Sequence, residues 1–234
     1  SVFFTQSPSF LSHQRSMAHS KGNSNATTIF GLQDLPSDNW IRSLLDPVSP
    51  SLLRGVHRKV FQRLREEGTI DRWRTFDGNL LVALDGTWFH SSESIHCPRC
   101  NHQNHRDGRT VYYHSAITPT IVKPAGNQVL SLEPQFVEPQ DGAKKQDCEN
   151  AAAKRWLTDS GLHYAQYNLT ILGDDLYCNE PMCKLLLEHR YNFILTCKYS
   201  SHSYLADWIE IADPKQDLNE QIIKRWDGKK RLFY

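Results

Sequence analysis

The sequence lacks a strong net charge, a long apolar run and an internal repeat. Lys and Arg number 27 against 26 Asp and Glu, a formal net charge of +1, so any contact with nucleic acid must come from a local basic patch. No apolar run approaches the roughly 20 residues that cross a bilayer, and residues 1–10 lack the pattern of a signal peptide. With 39% hydrophobic residues, the composition indicates a globular protein, which we expect to be soluble and intracellular with no membrane partner.

The six cysteines do not indicate a small disulfide-stabilised domain. Six cysteines in 234 residues could form disulfides in a small secreted domain, but a chain this long does not need them. Four of them lie in or beside apolar segments, where we expect them to act as small apolar side chains: Cys148, Cys178, Cys183 and Cys197. The other two form a Cys-x-x-Cys pair in a histidine-rich loop.

That loop is a candidate zinc site, because thiolates and imidazoles suit tetrahedral Zn²⁺. The candidate ligands are Cys97, Cys100, His102 and His105. The two histidines follow the cysteines too closely for a standard zinc finger, so His96 or His114 could replace one of them. A structural zinc would hold the loop together; the alternative is a pair of reduced thiols among scattered histidines.

Residues 1–75 are predicted to form a polar arm followed by a small helical region. Ser37 or Asp38 can cap a first short helix, and Ser49 with Pro50 begins a second one that Gly68 ends. The apolar residues of the second helix recur at helical spacing and predict its buried face: Leu52, Leu53, Val56, Val60 and Leu64.

The same region carries a local excess of positive charge, with eight basic and four acidic residues between Trp40 and Arg74. Such a helix could lie on a phosphate backbone, or its charges could simply be solvated. The candidate DNA contacts here are Arg54, Arg58, Lys59, Arg63 and Arg65. A second candidate set flanks a helix predicted over residues 142–159, with the same alternative: Lys144, Lys145, Lys154 and Arg155.

Residues 76–234 show an α/β pattern. Strands are predicted over residues 80–84, 110–122 and 128–137, followed by the helix over 142–159, a strand over 168–173, a helix from residue 179 and a strand over 191–198. This order predicts a mixed sheet flanked by helices. We expect the aromatic residues Trp73, Trp88, Phe89 and Trp156 to pack in the core or at hinges rather than to stack on bases.

Two aspartates stand where buried strands end. Asp85 closes the first apolar strand, and Asp174 closes the strand over residues 168–173. A carboxylate at a strand exit is ordinary for either residue alone, but two of them on strands that could be neighbours would repel unless a cation lies between them. The pair therefore indicates a site for Mg²⁺ or Mn²⁺, ions that prefer oxygen ligands and assist phosphoryl transfer.

Four long segments resemble bacterial IS4-like insertion-sequence transposases: LVALDGTWFHSSESIHCPRC, GRTVYYHSAITPTIVKP, PQDGAKKQDCENAAAKRWL and NLTILGDDLYCNEPMCKLLLEHRYNFIL. The N-terminal segments SPSFLSHQR and LPSDNWIRSLLDPV are similar to the same family. The resemblance implies a ribonuclease-H-like core over residues 76–234 and a DDE-type metal site that cuts DNA and joins its 3′ end to a target. It also implies transposon-end and target DNA as partners, a homodimer in a synaptic complex, and a bacterial cytoplasmic, nucleoid-associated location.

The resemblance assigns the first acid to Asp85 in LDGT and the second to Asp174 in GDDLY, whose spacing to Tyr177 fits the family pattern. Asp175 is the alternative if the register shifts by one residue. The family's third acid, a glutamate on a helix beyond the fifth strand in an Arg-x-Arg-Trp-x-x-Glu setting, has no counterpart here. We therefore expect a core that stops within an inserted segment and cleaves DNA poorly.

Two other functions remain open. The chain could be a non-catalytic DNA-binding remnant of a transposase, which would occupy DNA without cutting it. It could also be a zinc-stabilised interaction module that neither cuts nor binds DNA. A divalent-metal cleavage assay beside a gel-shift assay separates these hypotheses from an active transposase.

Overall fold

A computed structural model describes residues 8–19, 28–29, 31, 36–75, 78–138, 147–211, 221–224 and 230–233. The chain divides into two compact units, Ser1–Gly55 and Val56–Tyr234. None of the described helices combines the length and the apolar character that crossing a bilayer requires.

The first unit contains two helices, α1 (Phe10–His19) and α2 (Asp38–Leu45). The predicted cap of α2 is confirmed, because the Ser37 hydroxyl accepts a hydrogen bond from the Trp40 backbone N–H at 3.1 Å. Ser49 caps a 3₁₀ turn over Pro50–Leu53, and helix α3 (Arg54–Glu66) follows it. Gly68, with a φ of +69°, lies just beyond α3 and ends the helix as predicted.

The buried face of α3 differs from the prediction. Phe61 is buried, whereas Val56 and Val60 are exposed, as is Leu52 in the preceding turn. The reason lies in two contacts that orient the helix. The Phe61 ring packs edge-on against Tyr164 at 4.8 Å, and Arg58 forms an ion pair with a buried carboxylate. Leu64 of the predicted face is half-buried, and the Leu53 side chain lies outside the described part of the structure. The two contacts thus bury Phe61 instead of Val56 and Val60.

The central sheet is mixed, as predicted. Its strands are β1 (Arg74–Thr75), β2 (Asn79–Ala83), β6 (Thr120–Val122), β7 (Leu130–Ser131), β9 (Leu169–Gly173) and β10 (Asn192–Leu195). The order is β10-β9-β2-β6-β7, with β1 also paired to β2. Strand β9 runs parallel to both β10 and β2, whereas the remaining pairs are antiparallel.

A second sheet is wholly antiparallel and contains β3 (Gly86–Ser92), β4 (Asn101–Asn104), β5 (Thr110–Ile117) and β8 (Gln135–Val137). Strand β5 lies between β3 and β4 and also pairs with β8. The strands predicted over 110–122 and 128–137 are therefore each divided between the two sheets. Pro119 and Pro134 lie at the two breaks, where a residue without an N–H interrupts a strand ladder.

Helices flank the central sheet, which confirms the predicted α/β class. They are α4 (Glu149–Thr158), α5 (Leu162–Ala165), α6 (Glu180–Glu188) and α7 (Ser203–Ile211), and a hairpin of β11 (Gln221–Lys224) and β12 (Lys230–Phe233) ends the described chain. The core joins Leu80 and Val82 of β2, Ile171 of β9 and Trp156 of α4. Trp73 and Trp156 are buried as predicted. The part of the helix predicted over residues 142–146 lies outside the described residues.

Candidate functional site

The strands that end at the two aspartates are parallel neighbours. Ala83 of β2 lies opposite Leu172 of β9, and the Leu84 N–H continues the ladder by donating to the Leu172 carbonyl at 2.9 Å. Asp85 lies two residues after Ala83, and Asp174 lies two residues after Leu172. Both aspartates therefore leave the sheet at the same edge and are exposed to solvent there.

The two adjacent aspartates after β9 have different surroundings. Asp174 accepts a hydrogen bond from the Leu176 backbone N–H at 2.9 Å, in a turn that returns toward the sheet edge. Asp175 Oδ1 accepts from the Lys198 N–H at 2.6 Å and pairs with His202 Nε2 at 3.1 Å. The Lys198 hydrogen bond is the main cause that lowers the pKa of Asp175. Asp175 is therefore engaged with the chain beyond β10, whereas the Asp174 side chain bonds within its own turn.

A third carboxylate, Glu149, lies at this edge and was not singled out from the sequence. Glu149 is the first residue of α4 and is half-buried, with its carboxylate directly against Gly86. Burial raises the pKa of Glu149, and the nearby charges of Asp85 and Asp174 raise it further. Glu149 is thus close enough to Asp85 and Asp174 for their charges to disfavour its own.

A general rule of α/β folds could have identified Glu149. A helix that leads into a parallel strand begins at the edge of the sheet where that strand ends, so an acid in its first turn is brought to that edge. Glu149 precedes β9 in this way. The resemblance to transposases instead places the third acid beyond the fifth predicted strand.

Amide side chains fasten the start of α4 to the loop that carries Asp174. Asn150 Nδ2 donates to the Leu176 carbonyl at 2.8 Å. Asn179 Nδ2 donates to the same carbonyl at 3.1 Å and lies 3.3 Å from Asn150 Oδ1. These hydrogen bonds hold the start of α4, which carries Glu149, against the loop that carries Asp174.

Tyr177 adds an unsatisfied donor beside the carboxylates. Its side chain is buried, and its hydroxyl has no hydrogen-bond partner among the described residues. Burial raises the pKa of Tyr177, and the charges of Glu149, Asp174 and Asp85 add to the rise. A buried orphan hydroxyl indicates a missing oxygen partner, such as a water or a ligand oxygen.

The carboxylates fit a hard divalent cation in chemistry and in charge. Burial first, and then the charges of Asp85 and Asp174, raise the pKa of Glu149, and a bound cation would oppose that rise. Carboxylate oxygens are the ligands that Mg²⁺ prefers. The oxygen atoms of the three carboxylates do not all lie within 4.8 Å of one another. Among the described residues, the groups that meet this distance consist of cysteines and histidines.

One of those groups is the predicted Cys-x-x-Cys pair with His114. The Cys97 and Cys100 sulfurs lie 3.8 Å apart, and His114 Nε2 lies 3.3 Å from each. Tetrahedral Zn²⁺ with Zn–S bonds of about 2.3 Å holds two thiolates about 3.8 Å apart. The Cys97 N–H also donates to the Cys100 sulfur at 3.2 Å, which shapes the turn between them. The group has the geometry of a zinc site with three protein ligands.

The histidine ligand differs from the primary prediction. His102 and His105 do not belong to the group, whereas the named substitute His114 does. Strand β4 carries His102 away from the cysteines, and His105 lies beyond its end, whereas the neighbouring strand β5 returns His114 to them. The other substitute, His96, instead stacks on Tyr112 at 4.3 Å.

The pKa values of His114 and Cys100 bear on metal ligation by this group. Burial lowers the pKa of His114, and nearby His90 lowers it further, so the imidazole is neutral and can bind a metal at pH 7. Burial also raises the pKa of the Cys100 thiol. A bound Zn²⁺ would oppose that rise by stabilising the thiolate.

Two of the arginines predicted to contact DNA form ion pairs with buried carboxylates. Arg58 Nε donates to the fully buried Glu133 carboxylate at 2.7 Å, and the Tyr164 hydroxyl donates to the other Glu133 oxygen. Arg155 binds both oxygens of the buried Asp147, at 3.0 and 2.7 Å. Each guanidinium group pairs with a buried carboxylate, and the two arginine side chains are 36% and 35% exposed.

The other predicted contacts lie in varied settings. Arg63 pairs with Glu67 at 2.7 Å on the surface, and the Arg65 guanidinium lies 5.6 Å from the centre of the Tyr167 ring. Lys59 is exposed, whereas Arg54, in the first unit, and Lys154, on α4, are half-exposed. Lys144 and Lys145 lie outside the described residues.

The aromatic residues after Asp85 are exposed, contrary to the packing role predicted for them. Trp88 is 46% exposed and Phe89 57% exposed. Trp88 stacks on Tyr113 across the strand pair, with ring centres 4.1 Å apart. The pairing of β3 with β5 is irregular between Trp88 and His90, where Phe89 stands out of register. The result is an exposed aromatic surface on the strand that continues from Asp85.

Comparison with known proteins adds no assignment. No protein-family model matches the chain, and no curated protein matches its sequence. The chemistry of the site must therefore be inferred from its residues and their arrangement.

Proposed function

We propose that this chain is a DNA-processing protein of the DDE transposase type, in which Asp85, Asp174 and Glu149 form a divalent-metal site for phosphoryl transfer. One observation carries the proposal: β2 and β9 are parallel neighbours, so Asp85 and Asp174 leave the sheet at one edge, where Glu149 joins them. The resemblance of the Asp85 and Asp174 segments to IS4-like transposases supports the same chemistry.

In this proposal the protein residues position the reactants. Asp85 and Asp174 bind Mg²⁺ or Mn²⁺ from two strand ends, and Glu149 contributes its carboxylate from α4. The bound ion would supply charge stabilisation and lower the pKa of a coordinated water. The orphan Tyr177 hydroxyl would donate to an oxygen brought into the site, and the exposed Trp88 and Phe89 would contact unpaired bases.

Glu149 changes what the absent third acid implies. The resemblance places that acid beyond the fifth strand, whereas Glu149 lies before β9. If Glu149 serves as the third ligand, cleavage does not depend on the missing glutamate. If it does not, the chain is the non-catalytic DNA-binding remnant, with two carboxylates that hold metal weakly.

A plasmid-nicking assay tests the function without knowledge of the transposon ends. The purified chain is incubated with supercoiled DNA and Mn²⁺ or Mg²⁺, with EDTA as the control, and a gel shift over a salt series measures DNA affinity. Metal-dependent nicking together with salt-sensitive binding supports the proposal. Salt-sensitive binding without nicking identifies the remnant, and neither activity overturns any role on DNA.

The Gly86→Ala variant tests the placement of Glu149. A Cβ at Gly86 would overlap the Glu149 carboxylate, so alanine must displace it while leaving the backbone unstrained. We expect Mn²⁺ affinity to fall about tenfold, as when a group supporting a metal site is lost. Isothermal titration calorimetry with Mn²⁺ measures this change.

Gly55→Ala is the matched control for Gly86→Ala. A Cβ at Gly55, in helix α3, meets open space, so the same substitution should leave Mn²⁺ affinity unchanged and stabilise the helix by up to about 1 kcal/mol. Equal Mn²⁺ affinity in the Gly86→Ala variant and the unmodified chain would show that Glu149 takes no part in metal binding.

The zinc-stabilised interaction module is favoured by a separate observation, the arrangement of Cys97, Cys100 and His114. We propose a structural Zn²⁺ there. Changing both cysteines to serine should lower the zinc content by about one equivalent per chain, measured by atomic emission. The double variant His102→Ala with His105→Ala should keep its zinc, because those histidines lie outside the group. Zinc loss in the histidine variant instead would restore the ligand set predicted from the sequence.

A further inference from the structure

A second Cys/His group lies beyond the acidic edge of the sheet. Cys178, Cys197 and His202 have ligand atoms that all lie within 4.8 Å of one another. The two sulfurs are 3.0 Å apart. These residues come from three separate segments: the loop after β9, the loop after β10 and the residue before α7. Their convergence is not explained by the small apolar role that the sequence suggested for the cysteines.

A carboxylate supports the histidine of this group. His202 Nε2 pairs with Asp175 Oδ1 at 3.1 Å, and the same oxygen accepts the Lys198 N–H at 2.6 Å. A histidine that ligates a metal commonly donates its other ring N–H to a carboxylate, which fixes the tautomer and the ring orientation. The bond to Asp175 leaves Nδ1 of His202 as the nitrogen available to a metal.

Two cysteine sulfurs and an imidazole nitrogen are ligands that Zn²⁺ prefers, and the group supplies all three. Cys183, on α6, does not belong to the group.

We propose that Cys178, Cys197 and His202 bind Zn²⁺. These three protein ligands leave the fourth tetrahedral position to water or another donor. The ion links the loop that carries Asp174 to the end of β10 and to the start of α7. This site is separate from the Cys97–Cys100–His114 group and from the acidic cluster, and it does not depend on either of them.

A disulfide between Cys178 and Cys197 is the competing outcome. The sulfurs would have to close from 3.0 Å to about 2.05 Å for a disulfide, or open to about 3.8 Å on zinc. The changes are similar in size, so the surrounding residues decide. A disulfide would leave the convergence of His202 and Asp175 on these sulfurs without a role, whereas a zinc site uses both.

Metal analysis of the full chain tests the proposal. The chain is purified in the presence of a phosphine reductant and Zn²⁺, dialysed, and analysed for zinc by atomic emission. The double variant Cys178→Ser with Cys197→Ser should contain about one zinc equivalent less than the unmodified chain. The variant Cys148→Ser, at an exposed cysteine outside both groups, should keep its full zinc content.

Cobalt substitution provides a second, spectroscopic readout. In the unmodified chain, Co²⁺ should give intense thiolate charge-transfer and tetrahedral d–d absorption, and His202→Ala should weaken or shift these bands. Unchanged zinc in the double variant would overturn the proposal. So would a Cys178–Cys197 disulfide found by peptide mass mapping in protein that had been kept reduced.

Discussion

The Glu149→Gln variant is expected to nick DNA about 100-fold more slowly than the unmodified chain in saturating Mn²⁺. Glutamine keeps the shape of the side chain but removes the charge that lies beside Asp85 and Asp174. Loss of one preorganised electrostatic group in an active site slows catalysis by about two to three orders of magnitude. Initial rates of supercoiled-plasmid relaxation measure the effect, and Asp85→Asn and Asp174→Asn should behave alike.

Glu180→Gln is the matched control for Glu149→Gln. Glu180 also lies in the first turn of a helix, but it is exposed and pairs with Lys184 at 2.6 Å on the surface. Its replacement should leave the nicking rate unchanged. If Glu149→Gln nicked as fast as Glu180→Gln, Glu149 would have no part in the chemistry and the assignment of a third acid would fail.

The same Glu149 variant separates an electrostatic role from a merely structural one. Because the folded-state pKa of Glu149 is raised, the charged carboxylate destabilises the metal-free fold above that pKa, and protonation relieves the cost as the pH falls through it. Metal-free Glu149→Gln should therefore melt a few degrees higher at pH 7, by thermal denaturation. The difference should vanish at low pH, and Mg²⁺ should stabilise the unmodified chain more than the variant.

Replacing Arg58 with alanine should destabilise the second unit by about 3 kcal/mol. Arg58 binds Glu133, whose side chain is fully buried, and removing one partner of a buried pair leaves the other charge uncompensated. The Tyr164 hydroxyl still donates to Glu133 and keeps the loss below the upper end of the range. Urea denaturation followed by circular dichroism gives the free energy of unfolding.

Lys59→Ala tests whether this effect is specific to the ion pair. Lys59 is the next residue on the same helix and is exposed, so its removal should change the free energy of unfolding by no more than about 0.5 kcal/mol. The two variants also separate a structural role from DNA binding. An Arg58→Ala variant of normal stability but reduced DNA affinity would return Arg58 to the DNA-contact set.

Local patterns were sufficient to predict much of the fold. The apolar run over residues 80–84 indicated a buried strand, and Leu80 and Val82 are fully buried in β2. The edge position of Asp85 and Asp174 followed from where such strands end, and their parallel pairing brings them to one edge. Serine and proline positions gave the starts of α2 and of the turn before α3, because capping depends on neighbouring residues only.

Features set by distant parts of the chain could not be read from local patterns. The orientation of α3 depends on Glu133, which lies 75 residues after Arg58. The histidine of the Cys97–Cys100 group comes from β5 because strands β4 and β5 pair, and no spacing rule specifies that register.

The Asp174–Asp175 pair has a consequence for how this region can change in evolution. The charge of Asp174 acts on Glu149, whereas Asp175 pairs with His202. Inserting or deleting a single residue in this turn would shift both carboxylates and so alter both of the proposed metal sites. Sequence drift here should therefore be confined to substitutions, and the length of the turn should be invariant among functional descendants of this chain.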